Sequence, residues 1–138
     1  MSLYHDLIID HYKNPRNFGE LESPDVIVQE ANASCGDLIE FQLKFDSIQN
    51  SEFRIQNLSW RGVGCAISTA SASLLSEKIQ HSVFSIQYLA SMTDEDMVKM
   101  LGGDISPTRL KCATLSLRAL KKALKQFNAK IQSQSILP

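Results

Sequence analysis

Three cysteines and one aspartate are the residues of this sequence that could do chemistry. Cys35 lies in "SCGD" with Asp37 just after it, Cys65 in "GVGCAI" and Cys112 in "RLKCATL". An odd thiol count makes a disulfide framework a poor reading, because one thiol is always left over. Thiolates suit zinc or an iron–sulfur centre, and zinc also accepts a carboxylate. No C-x-x-C pair occurs. Spacing alone therefore leaves metal binding beside the plainer alternative of three inert core thiols. Position adds weight to the first: each cysteine falls at an element boundary, where a rigid scaffold presents functional groups.

The elements around these residues follow from periodicity. From 39 to 46, Ile39, Phe41, Leu43 and Phe45 alternate with Glu40, Gln42, Lys44 and Asp46. This is a strand with one buried and one wet face. Cys35 and Asp37 share the parity of the apolar set, so both point to the buried face if the strand geometry reaches back through Gly36. A short strand is expected over 26–29 and another strand over 53–60, where the alternation slips near Asn57 as at a bulge. Cys65 opens a helix whose stripe is Ile67, Ala70, Leu74, Leu75 and Ile79. Cys112 opens a final helix with Leu120, Ala123, Leu124, Phe127 and Ile131 on one face.

Leu3, Leu7, Ile8, His11 and Tyr12 mark an N-terminal amphipathic helix that "NPRNFG" stops. A short helix capped at Thr93 runs through Met100, "GGDISP" breaks the chain, and "SQSILP" reads as frayed. The order of elements predicts an α+β domain over residues 1–138: a three-stranded antiparallel sheet covered on one face by helices. Cys65 and Cys112 then open the two helices that cover the face towards which Cys35 and Asp37 point. A helix N-terminus favours the thiolate, and Gly62 and Gly64 allow close backbone approach.

Composition narrows the function classes. A net charge of -1 gives no electrostatic case for nucleic acid or an anionic membrane surface. No apolar run approaches the roughly 20 residues of a membrane span. Asp6 and Asp10 interrupt the apolar N-terminus, which argues against a signal peptide. A cytoplasmic protein with reduced thiols is expected.

Together, "HYKNPRNFG", "SCGD", "GVGCAISTASAS" and "RLKCATLSLRAL", in this order, resemble the iron–sulfur scaffold family typified by IscU, SufU and the N-terminal domain of NifU. The resemblance covers about Leu3 to Phe127. It implies a protein that accepts persulfide sulfur from a cysteine desulfurase of the SufS or IscS type. Such a protein assembles a labile [2Fe-2S] cluster for downstream acceptor proteins or, in the SufU branch, takes up sulfur with Zn2+ at the same site. Carried over by position, the ligands are Cys35, Asp37, Cys65 and Cys112. Cys35 is the persulfide acceptor suggested by the SufU likeness and Cys112 the one suggested by the IscU likeness.

Two departures from the IscU pattern stand out. Lys111 holds the place of a histidine before the third cysteine, as in SufU-like sequences, and an ammonium cannot ligate a metal unless deprotonated. The stretch "DISPTR" replaces the segment that a dedicated Hsp70 chaperone reads, so the resemblance does not extend to that partner. The motifs lean towards SufU, whereas the short interval from Cys65 to Cys112 is IscU-like. Arg61, Arg109 and Lys111 stand beside the ligands in sequence and could offset the negative charge of the donor set. His5, His11 and His81 are read as packing or surface residues.

Two other classes compete with this reading. A zinc hydrolase needs a general base near the metal, and Asp37 is already taken as a ligand. A structural zinc module predicts inert zinc and no persulfide.

Overall fold

The computed structural model describes residues 3–34, 36–47, 52–81, 85–103 and 105–136. Cys35 and the side chains of Leu3, Tyr4 and His5 lie outside the described residues. The elements run α1 (Leu3–Lys13), β1 (Val26–Asn32), β2 (Asp37–Ser47), β3 (Phe53–Val63), α2 (Ala66–His81), α3 (Ile86–Ser91), α4 (Asp94–Met100) and α5 (Leu110–Ile136). The strands form one antiparallel sheet in the order β1-β2-β3. Helices α2 and α5 cover one face of it.

The alternation read over 39–46 carries this packing. Ile39, Phe41, Leu43 and Phe45 are buried with Val26, Val28, Leu58 and Trp60 of the neighbouring strands. Leu75 and Ile79 of α2 and Leu115, Leu120 and Phe127 of α5 close over them. The register shifts between Lys44 and Phe45, which pair with Asn57 and Ile55, so the extra residue is Gln56. That is the bulge expected from the slip near Asn57.

All three strands run past the expected ends. β1 reaches Asn32 and β2 begins at Asp37, so strand geometry holds at Asp37 but does not run back through Gly36, a turn residue at φ 71°. Thr93 and Asp96 form a reciprocal capping box on α4. The final helix corrects two expectations. It begins at Leu110, after a 3-10 turn at Pro107–Arg109, so Cys112 sits inside its first turn. It also continues through Ile136, because no glycine or proline interrupts it before Pro138, and most of "SQSILP" is helical.

The wet face of β2 is a second correction. Glu40 and Gln42 are buried, because residues of the α1–β1 connection lie over them. The Leu21 amide donates to Gln42 Oε1 at 2.9 Å, and Ser59 Oγ donates to the Gly19 carbonyl at 3.1 Å. Gln29, Gln42 and Arg61 all donate to Glu40. Burial pushes the Glu40 carboxyl up, but these three hydrogen bonds and the Arg61 charge hold it below the usual carboxylate range.

Serines in α2 fasten its neighbours. Ser71 Oγ donates to the Ala113 carbonyl of α5 at 2.6 Å. Ser73 Oγ accepts the Arg16 amide at 2.8 Å and lies 2.7 Å from His11 Nδ1. Ser76 Oγ donates to the Arg16 carbonyl at 3.1 Å. His11 is therefore the helix-end packing residue expected, with only 2 % of its surface exposed. Burial pushes its imidazole pKa down and the Arg16 charge adds to this, while Glu77 and Asp10 oppose it. Tyr12, by contrast, is exposed.

Candidate metal centre

The site forms where the start of β2 meets the starts of α2 and α5. Donor atoms of Asp37, Cys65 and Cys112 all lie within 4.8 Å of one another. Asp37 and Cys112 are buried and Cys65 is half-buried. The position of Cys35 is outside the described residues, so the convergence on the page is of three donors.

Asp37 does more than share the face. Its Oδ1 accepts the Cys65 amide at 3.0 Å, and its Oδ2 lies 3.9 Å from Cys65 Sγ. The Cys65 carbonyl in turn accepts the Thr69 amide at 3.1 Å. Cys65 is thus the residue from which α2 departs, and a carboxylate on the neighbouring strand holds its free N–H. Gly64 makes this approach possible. A Cβ there would come 2.6 Å from Asp37 Oδ1 and 2.5 Å from Ser68 Oγ. Gly62 serves the sheet instead, because a Cβ there would overlap the Leu38 carbonyl.

Electrostatics favour a thiolate at Cys65. Burial pushes its thiol up. The Ser68 amide and hydrogen bonding with the Cys112 side chain and the Ser68 hydroxyl outweigh that, even against the Asp37 charge, and leave the thiol below its ordinary range. Ser68 Oγ lies 3.8 Å from Cys65 Sγ and donates to the Cys65 carbonyl at 3.1 Å. The spacing of the cysteines alone does not mark Ser68. Its signal is a hydroxyl one helical turn after a helix-opening cysteine.

The flanking cations divide. Arg109 faces the site: attraction to Cys65 and a hydrogen bond to Cys112 lift its guanidinium above its usual range. Lys111 is exposed, and no ion pair among the described residues ties it to the group. Arg61 is turned away from the site and does not offset its charge. It projects from the opposite face of the sheet and pairs with Glu40 at 2.6 Å and with Glu20.

The donors fit a thiophilic metal. Tetrahedral zinc with bonds of about 2.0–2.3 Å sets its ligand atoms about 3.5–3.8 Å apart. The Asp37–Cys65 separation of 3.9 Å is close to that, and a small contraction brings all three donors into range. Three side chains leave a tetrahedral position for a fourth ligand. Among the described residues no histidine or second carboxylate joins the group.

Comparison with known proteins agrees with this geometry. The family model for the NifU-like N terminal domain matches residues 3–134. The zinc-dependent sulfurtransferase SufU of Bacillus subtilis is 34% identical, over 89% of this chain and 90% of its own length. The iron-sulfur cluster assembly scaffold protein IscU of Aquifex aeolicus is 30% identical, over 98% of this chain and 84% of its own length. A solved structure of a candidate iron-sulfur cluster assembly scaffold protein for the SUF system from Fervidobacterium islandicum superposes with a TM-score of 0.71 at 25% identity, covering 90% of this chain and 96% of that one.

Proposed function

The chain belongs to the NifU-like N-terminal domain family, and on that footing we propose that it is an iron–sulfur cluster assembly protein. It accepts persulfide sulfur from a cysteine desulfurase and assembles or passes on a labile [2Fe-2S] cluster to acceptor proteins. Cys35, Asp37, Cys65 and Cys112 are its ligands, in one cytoplasmic domain. The observation that carries this reading is the convergence of Asp37, Cys65 and Cys112 within 4.8 Å at the mouths of two helices.

Each residue has a role in that reading. A Cys35 thiolate attacks the terminal sulfur of the desulfurase persulfide. The S–S bond breaks, the desulfurase cysteine leaves as a thiolate, and the persulfide now sits on Cys35. Two electrons from an external reductant then convert the sulfane sulfur to sulfide for the cluster, which is the cargo. Cys65 and Cys112 hold iron as thiolates, and Arg109 balances part of their charge. Asp37 is a hard ligand at a thiophilic centre, so its bond is the one that opens when cargo is handed on.

A second reading has its own support. Lys111 replaces the histidine of the IscU pattern, and the Bacillus subtilis relative is a zinc-dependent sulfurtransferase. In that reading Zn2+ keeps the ligand thiolates deprotonated, and the protein accepts sulfur without building a cluster. Incubation with a cysteine desulfurase, cysteine, a thiol reductant and ferrous iron separates the two. Visible [2Fe-2S] absorption is expected for the scaffold. Faster desulfurase turnover without that absorption supports the zinc-bound acceptor. Neither signal, with zinc retained, leaves a structural zinc module and overturns both readings.

A further inference from the structure

Asn32 carries a buried polar atom that no contact satisfies. Its side chain is 6 % exposed, and its Nδ2 has no hydrogen-bond partner. Ser34 Oγ donates to Asn32 Oδ1 at 2.9 Å, and the amide nitrogen is the end without a partner. Buried donors are almost always paired, and one left unpaired costs its full desolvation. An apolar residue in this place would avoid that cost.

The register shows what the donor faces. Asn32 is the last residue of β1 and pairs directly with Asp37, the first residue of β2. Residues opposite one another in an antiparallel pair project to the same face with Cβ atoms about 5 Å apart. Asn32 and Asp37 are therefore direct neighbours on the face covered by α5 and its Cys112. Asp37 Oδ1 is engaged by the Cys65 amide, and Oδ2 is directed at Cys65 Sγ.

We infer that Asn32 is a positioning residue of the metal centre, its free N–H placed to bond the Asp37 carboxylate once that carboxylate turns to a bound metal. The inference rests on the ligand role proposed for Asp37. A carboxylate that ligates a metal is normally held by a further hydrogen bond, and losing such a partner typically costs about 10–100-fold in affinity. A carboxylate has lone pairs for the metal, the Cys65 amide and one more donor. A metal that draws the Asp37 carboxylate round then gives the unpaired Asn32 donor its partner. Metal binding gains a hydrogen bond in this way, and that gives the role a distinct sign.

Substituting Asn32→Leu tests it, with zinc as the probe. Zinc affinity is read by chelator competition, and thermal midpoints are read for the metal-free and zinc-loaded forms. The expected result is a zinc affinity lower by about 10–100-fold, with a metal-free midpoint equal to or above that of the parent protein. In an Asp37→Ala background the same substitution should change zinc affinity by less than about threefold, because coupling vanishes with the shared partner. An Asn32→Leu protein that melts earlier without metal, or does not fold, overturns the inference and makes Asn32 a structural residue. So does an unchanged affinity, or an equal loss in the Asp37→Ala background. Parent protein that takes up no zinc defeats the ligand assignment as well, so the two failures are distinguishable.

Discussion

Replacing Cys112 by serine is expected to lower zinc affinity by roughly 10²–10³-fold. Apparent binding energies of about 10–16 kcal/mol spread over four ligands in structural zinc sites amount to about 2.5–4 kcal/mol per ligand, and about 1.4 kcal/mol is a factor of ten. The effect should be this large because Cys112 is fully buried and Asp37 and Cys65 lie beside it, with no other metal-ligating side chain among the described residues to take its place. Metal-free stability should change much less. A serine hydroxyl is close to a thiol in shape and finds polar neighbours in Asp37 and Arg109. Competition with a chromophoric chelator, alongside thermal melts without metal, reads both quantities. A Cys112→Ser protein that keeps parental zinc affinity would remove Cys112 from the site.

Asp37→Ala carries the second large effect, and it acts in two ways. Handing on of sulfur or cluster should slow by about 10–100-fold, the range seen when a group that tunes a metal centre is lost, because the weakest bond to the centre is gone. The fold should survive with a modest loss. The carboxylate holds the Cys65 amide at the start of α2, and losing a helix N-terminal partner costs about 1 kcal/mol. For a chain of this size that is about 3–5 °C in melting temperature. Transfer to an apo-acceptor followed by visible circular dichroism gives the rate, and calorimetry gives the midpoint. Unchanged transfer together with unchanged metal release would end the idea that Asp37 is the opening bond.

Much of the centre was legible from strand parity. The alternation of Ile39, Phe41, Leu43 and Phe45 fixed the buried face, and running it back two residues placed Asp37 on that face. The same rule, carried across the hairpin, would have exposed Asn32, whose register partner is Asp37. It stayed hidden because β1 was expected to end at 29, three residues short of its true end.

Arg61 shows the limit of sequence adjacency. It lies four residues before Cys65, yet strand parity turns it to the opposite face, where Glu40 and Glu20 engage it. Glu40 and Gln42 were read as wet because alternation reports polarity and not cover. Only the fold shows that the α1–β1 connection lies over them. Locally the serines of α2 are no more than small residues off the apolar stripe. Their hydrogen bonds to Arg16, His11 and Ala113 depend on tertiary contacts that no local pattern encodes. The short helix α3 has too few residues for a periodic signal.

The central claim is that thiolates and a carboxylate from distant parts of the chain hold one thiophilic centre. X-ray absorption at the zinc edge of the zinc-loaded protein tests it most directly. The account predicts three sulfur ligands at about 2.3 Å and one oxygen at about 2.0–2.2 Å, with one sulfur lost in each of Cys35→Ser, Cys65→Ser and Cys112→Ser, and the oxygen lost or exchanged in Asp37→Ala. A first shell made of nitrogen and oxygen, or one whose sulfur count is unmoved by these substitutions, would contradict it.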